Sequence, residues 1–447
     1  MKNRIGLRRS ALTVLGAALL SAAAMSACSS SDDSTSSTGG SGGSGGRGGT
    51  SATGGKGGAS GSVGLGGSHA GGTGGSGGTG ATAGTNALGG TGGTIVIGSA
   101  GEGGESAAGA AGAAGGSSLT LQDVTVTKLS SDVGGAAHQV TNLVNAWGLA
   151  INPNAQGGPL FWVSATDSGV SDVFDVTGNP QTLVVTVPAG TAAGLGAGTG
   201  APTGQVYNAS ATAFKGDTFM FATEDGFIEG WKTGTVAVAE VNNFTTASYK
   251  GLALVMNGTT PELIAANFKA GSIDSFSDTF QAITTKPFND ATIPAGYAPF
   301  NAAELGGKVY VTYAKQDADK ADDVPGLGNG YVNVFNVDGT LSKRLISQGM
   351  LNAPWGLAMA PAGWGNLAGA LLVGNFGDGM IHAYDPLTGE LLGALADTTG
   401  APLVIDGLWA LSFGPNTVSV DLSAQLFYTA GPGSEMHGVF GKLILAP

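Results

Sequence analysis

Beyond residue 118 the chain is written in short apolar runs broken by polar corners. Leu121-Gln-Asp-Val-Thr-Val-Thr-Lys-Leu129 alternates apolar and polar positions, which predicts a half-buried strand. After it, Asn145-Ala146-Trp147-Gly148-Leu149-Ala150 returns as Ala353-Pro354-Trp355-Gly356-Leu357-Ala358. Weaker echoes are Tyr249-Lys250-Gly251-Leu252-Ala253 and Gly407-Leu408-Trp409-Ala410-Leu411. Each echo opens a unit, and six units are read in all, each containing a second apolar run, at 160–163, 218–222, 262–266, 308–312, 370–373 and 425–429. A polar corner and a further strand follow, with Gly, Pro, Asn and Asp supplying the turns.

The units open at Gly148, Gly204, Gly251, Phe300, Gly356 and Ala410, a mean spacing of about 52 residues, which suits propeller blades better than solenoid turns. Glycine at an opening fits an innermost strand, where a side chain would crowd the axis. The expected fold is all-β: a six-bladed β-propeller over residues 119–447, with five or seven blades as the rivals. The last unit lacks a fourth strand. The early strand around 124–129 can supply it and close the ring, removing exposed edges.

The preceding stretch is of another kind. Every Trp, Tyr and Phe lies beyond residue 119, and 29–118 is built of Gly, Ser, Thr and Ala. Such a composition cannot bury enough apolar surface to offset chain entropy, so it predicts a disordered linker. As a flexible coil of about 90 residues it would reach roughly 50 Å. Residues 1–27 read as a signal peptide: Lys2, Arg4, Arg8 and Arg9 precede a short apolar core and small residues. The end of this segment, Met25-Ser26-Ala27-Cys28, resembles the lipobox of bacterial lipoproteins. The resemblance implies lipidation of Cys28, the only cysteine in the chain, and anchoring through its acyl chains to the outer membrane or cell surface.

Charge narrows the partners. The formal net charge is −13, and residues 119–447 keep 12 of the 18 Lys and Arg and 27 of the 31 Asp and Glu, a net of −15. Such a charge repels the phosphate backbone, so no nucleic-acid partner is expected. With no second cysteine there is no intramolecular disulfide. A monomer is expected.

Longer motifs carry a resemblance. Ala266-Asn-Phe, Gly296-Tyr-Ala-Pro-Phe-Asn301, Val311-Thr-Tyr-Ala-Lys-Gln-Asp-Ala-Asp-Lys320, Leu372-Val-Gly-Asn-Phe-Gly-Asp-Gly379 and Asp406-Gly-Leu-Trp409 are similar to a family of uncharacterised exported bacterial proteins, many with a C-terminal PEP-CTERM sorting tail. The resemblance runs from about Asn145 to Phe440. It departs at Leu443-Ile-Leu-Ala-Pro447, where no such tail is read, and it implies export and a propeller without implying any chemistry.

Two groups of residues are candidates for a site. Corners after the second strands bring Glu224, Asp225, Asn267, Lys315, Asn375 and Asp378 to one end of the axis, where propellers bind ligands or metals. The competing reading is that Asn and Asp stand there as corner-forming side chains. The long acidic corner holds Asp317, Asp319, Asp322 and Asp323, which could wrap Ca²⁺, although the spacing is not that of an EF-hand. Nucleophilic catalysis is poorly supported: His138, His382 and His437 fall in unrelated units, and His382 is expected half-exposed on a sheet. Trp147, Trp355 and Trp409 recur at matched positions and read as packing. The expected function is a tethered ligand- or protein-binding module. The alternative is a metal-dependent hydrolase or lactonase-like enzyme, which needs Glu224, Asn267, Asn375 and a further acid converging on the axis.

Overall fold

The computed structural model describes residues 119–447. The expected signal peptide (1–27), Cys28 and the glycine-rich linker lie outside the described residues. The first sheet runs Ala146–Asn152, Leu160–Ala165, Val170–Phe174, Pro180–Thr186, each strand antiparallel to the one before. The second repeats this order with Pro202–Tyr207, Phe219–Thr223, Phe227–Trp231 and Val238–Asn242. The third has Tyr249–Asn257, Thr260–Asn267 and Ser272–Phe276, and the next has Tyr297–Leu305, Lys308–Lys315, Gly330–Asn336 and Leu341–Ser347. Two further meanders follow. One is Pro354–Met359, Leu371–Asn375, Ile381–Tyr384, Leu391–Ala396; the other is Leu408–Phe413, Leu426–Ala430, Val439–Leu445.

The N-terminal strand Thr120–Ser131 joins these last two. Its residues Val124 to Ser131 pair antiparallel with Leu445 to Val439, supplying the strand the last unit lacks. Its residues Thr120 to Asp123 run parallel to Gly393 to Ala396 in the neighbouring meander. Val124 and Leu129 are buried by this pairing.

The strands read as continuous apolar runs because both faces of each sheet are covered. Phe219–Thr223 is buried at every position. Phe219 and Phe221 pack with Trp162 and Val173 of the first sheet, whereas Met220 and Ala222 pack with Leu252 and Leu263 of the third. Alternate side chains thus serve alternate neighbours, as the two-residue period of a strand requires.

The first strands meet in a closed circuit. Ala146–Asn152 contacts Pro202–Tyr207, which contacts Tyr249–Asn257, then Tyr297–Leu305, Pro354–Met359 and Leu408–Phe413, which returns to Ala146–Asn152. The approach is close enough to demand glycine: a Cβ on Gly148 would stand 2.1 Å from Thr203 O, and one on Gly204 would stand 2.4 Å from Leu252 N. Each first strand ends its sheet, so its free edge needs partners. Side chains of other sheets supply some of them: Gln205 Nε2 donates to Gly148 O at 2.9 Å, Thr203 Oγ1 to Tyr249 O at 2.8 Å, and Asn301 Nδ2 to Trp355 O at 2.9 Å. This all-β arrangement is that of a β-propeller.

Three details differ from expectation. A hairpin, Pro188–Thr191 with Gly194–Thr199, follows the first sheet; its Gly- and Ala-rich sequence has no alternation to announce it. The long corner is partly a hairpin extension, since Gln316 bridges Asp323 and Val324 N donates to Lys315 O. His382 is buried rather than half-exposed, because neighbouring sheets cover both faces of its strand.

Candidate functional site

At the end of the axis where the first strands begin, the ring is filled by aromatic side chains. Trp147 stacks on Trp409 with centroids 3.6 Å apart, and Phe376 stacks on the other side of Trp409 at 3.9 Å. Trp355 meets both tryptophans edge-on, at 6.4 and 6.0 Å, and Phe300 and Phe268 extend the cluster. Trp355 Nε1 donates to Lys250 O and Trp409 Nε1 to Asn145 Oδ1. The matched tryptophans are therefore packing residues that close this mouth.

Lys250 belongs to the same ring of positions. It precedes Gly251 as Trp147 precedes Gly148 and Trp355 precedes Gly356, so its side chain is delivered to the plug. Its ammonium stands 5.4 Å from the Trp147 ring centroid. Glu224 Oε1, from the corner of the second sheet, lies 2.5 Å from Nζ, and Asp322 Oδ1, from the long corner, lies 3.6 Å away. The Lys250 side chain is 3% exposed, that of Asp322 74%. Burial alone would lower the lysine's pKa, but the Glu224 carboxylate, with Asp322 and Glu435, outweighs it and holds Lys250 above its ordinary value. Lys250 is thus a fixed cation and not a nucleophilic amine.

Glu435, on the corner after Leu426–Ala430, completes the group. Burial, then the charges of Glu224, Asp323 and Asp322, push its carboxyl up to about 7 against the pull of Lys250. Corners of the second, fourth and last sheets so bring Glu224, Asp322 and Glu435 to one ammonium, with Asp323 beside Glu435. The site can hold positive charge and can take up a proton near neutrality.

Other expected residues are not part of it. Asn267 accepts from Ser248 N and Ala270 N and donates to Asp274 Oδ2. Asn375 accepts from Asn352 N and donates to Met350 O and Asp378 Oδ2, while Asp378 also accepts from Met380 N. These side chains shape their own corners. Asp225 Oδ2 accepts from Gly190 N at 2.5 Å and so ties down the 188–199 hairpin. Lys315 is exposed at the end of its strand.

The acidic corner does not form an ion cage. Asp317 Oδ1 caps a turn by accepting from Ala321 N, Asp319 is exposed, and Asp322 turns toward Lys250. Among the described residues no three His, Cys, Asp or Glu side chains are grouped so as to hold a metal ion. Of the residues expected to wrap calcium, Asp317 thus holds a turn and Asp322 faces an ammonium, while Asp319 is exposed.

Sequence reasoning passed over Lys250 and Glu435. The signal for Lys250 was present: a charge in the place of a repeated tryptophan. Glu435 sits in a Gly-, Pro- and Ser-containing turn, and nothing local marks it.

No family model matches the chain. Uncharacterised protein R648 of Acanthamoeba polyphaga mimivirus is 30% identical over 328 residues, covering 70% of this chain and 78% of that protein. Uncharacterised protein L690 of the same virus is 30% identical over 334 residues, covering 69% and 82%. Among solved structures, a protein of unknown function from Bacteroides thetaiotaomicron superposes with a TM-score of 0.47 at 11% identity, covering 73% of this chain and 76% of the other. The chain belongs to the family of the uncharacterised mimivirus proteins R648 and L690.

Proposed function

We propose that the protein is a six-bladed β-propeller that serves as a binding module, recognising a positively charged ligand or protein surface at the face bearing Glu224, Asp322, Asp323 and Glu435. The observation that carries this reading is the convergence of Glu224, Asp322 and Glu435, from corners of three sheets, on the buried ammonium of Lys250, with Asp323 beside Glu435. One positive charge leaves the group in anionic excess, and the exposed Asp322 presents that excess to solvent. Such a field steers cationic partners and weakens with salt. The blade count rests on the closed circuit of first strands. The hydrolase alternative needs Asn267 and Asn375 turned to the axis, and both are engaged in their own corners.

In this reading the propeller is exported and held at the membrane by lipidated Cys28, with the glycine-rich segment as its tether. Support comes from the charged start, the apolar core and the box ending at Cys28. The test of binding is calorimetric titration of the full chain with oligolysine and oligoglutamate peptides at several salt concentrations. Salt-sensitive binding of oligolysine alone, weakened in Asp322→Asn with Asp323→Asn, supports the reading; equal behaviour of the double variant sinks it. The anchor is tested separately: Cys28→Ser must release the protein from the membrane fraction.

A further inference from the structure

The third sheet has three strands where the first, second and fourth have four. The segment that follows it covers the open edge: Ala282 bridges Phe276, and Ile283 N donates to Ser275 O at 2.8 Å. The chain then enters the seam between the third and fourth sheets. Phe288 N donates to Gly339 O at 3.0 Å, and the Phe288 ring packs with Val255 and Phe335.

Lys286 is carried into the same seam. Its Nζ meets Glu262 Oε2, on Thr260–Asn267, and donates to Val337 O at 2.8 Å. The other oxygen of that carboxyl group, Oε1, accepts from Asn257 Nδ2 at 3.0 Å. Asn257 ends the strand before, and its pairing with Thr260, two residues along from the Val255–Glu262 pair, sets it on the face of Glu262. An amine and a carboxamide from separate parts of the chain thus share one carboxyl group. The Lys286 and Glu262 side chains are each 8% exposed, and Val255, opposite Glu262, is buried in the apolar cluster of the seam.

From this we infer that Lys286 and Asn257 become joined by an isopeptide bond, with Glu262 as the proton shuttle. Glu262 takes a proton from the ammonium, and the freed amine attacks the carboxamide carbon of Asn257. The Nζ–Cγ bond forms. Two of the three ammonium protons pass through Glu262 to Nδ2, the Cγ–Nδ2 bond breaks, and ammonium leaves by the exposed turn at 257–260. One ammonium and one amide give one amide and one ammonium, so no oxidant or cofactor is needed. The bond ties the covering segment to the sheet whose edge it covers and closes the loop from 257 to 286. A chain with one cysteine has no intramolecular disulfide to serve this purpose. The inference uses neither the Lys250 face nor its ligand.

The experiment is peptide mapping of the full chain by trypsin under denaturing conditions, with mass spectrometry. Residues 251–269 and 270–308 should appear as one branched ion, lighter by one ammonia than the two peptides together. Lys286→Arg keeps a cation beside Glu262 but has no amine to join, so its two peptides should run apart. Glu262→Gln keeps the shape and moves no proton, and should give the same result. The joined wild type should also melt several degrees above Lys286→Arg, because the closed loop restricts the unfolded chain. Separate peptides in the wild type overturn the assignment. So does an ammonia loss that persists in Lys286→Arg, which is succinimide closure at Asn257-Gly258. Joining that persists in Glu262→Gln overturns the role of Glu262. Should Glu262→Gln fail to fold, the wild type and Lys286→Arg still decide.

Discussion

Lys250 Nζ lies 2.5 Å from Glu224 Oε1, joining the third sheet to the corner of the second beneath the long acidic loop. Removing one member of a buried pair leaves the other charge without compensation. Lys250→Met should therefore destabilise the chain by about 3–5 kcal/mol. Asp322→Asn, at a largely exposed partner, should cost no more than about 1 kcal/mol. Denaturant midpoints of the two variants check this, and comparable losses from both would refute the ranking.

The ring of first strands predicts a steric outcome. Gly148→Ala would place its Cβ 2.1 Å from the backbone oxygen of Thr203, an atom that cannot move without its strand. The change adds only one methyl group, yet it should lower stability by several kcal/mol, on the order of the largest single-residue effects. Gly363→Ala, where nothing lies within 4 Å, is the control and should be nearly silent. Urea unfolding of both variants gives the comparison.

Much of the architecture was legible because it is periodic. Trp147-Gly148-Leu149 and Trp355-Gly356-Leu357 announced the repeat, and the alternation in 121–129 announced the strand that completes the last sheet. The 188–199 hairpin was hidden, since Pro188–Thr191 and Gly194–Thr199 are held by backbone pairing and by Asp225 and carry no apolar pattern. The site was half legible. Glu224 does reach the axis, but Asn267 and Asn375 stand in comparable corners and turn the other way. A lone corner residue looks the same in sequence whether it caps its own turn or meets a side chain from another sheet. The motif resemblance pointed to exported bacterial proteins, whereas the relatives matched at 30% identity are viral.

Closure by the N-terminal strand is testable in one residue. Val124 is 1% exposed and packs in the cluster shared by the last two meanders, with Leu395, Leu426 and Leu443. Val124→Asp puts a carboxylate there with no partner, and should cost several kcal/mol, of the order seen for unpaired buried charges. Val126→Asp, two residues on and 37% exposed, should cost little. Limited proteolysis should cut the Val124 variant first within 120–131, and identical digestion of the two would argue against closure.

Calcium should not stabilise the folded chain. A ligand bound only by the native state must raise the melting temperature. Asp317, Asp319 and Asp322 are spread among a turn, solvent and Lys250, and among the described residues no three acidic, His or Cys side chains are grouped to hold a metal ion. Thermal melts in calcium and in chelator should coincide. A rise of several degrees in calcium, lost in Asp317→Asn with Asp319→Asn, would show that the corner reorganises around the ion.

Glu229 makes stability depend on pH in an unusual direction. It is fully buried on Phe227–Trp231, and neither carboxyl oxygen has a hydrogen-bond partner among the described residues. Burial, with the nearby charge of Asp225, raises its pKa from the usual 4.5 to about 9. The folded state therefore keeps a proton that the unfolded chain releases. The stability this confers is whole below about pH 4.5 and is withdrawn as the pH climbs to about 9. Asp172, raised by burial to about 6, adds a smaller loss in the acidic part of the same window. Glu229→Gln cannot ionise, so its melting temperature relative to the wild type should rise from pH 5 to pH 9 by several degrees. Any cost of seating the amide is the same at every pH and drops out of that trend. A difference that stays flat across the window would mean that Glu229 is ionised in the folded protein and has found a partner.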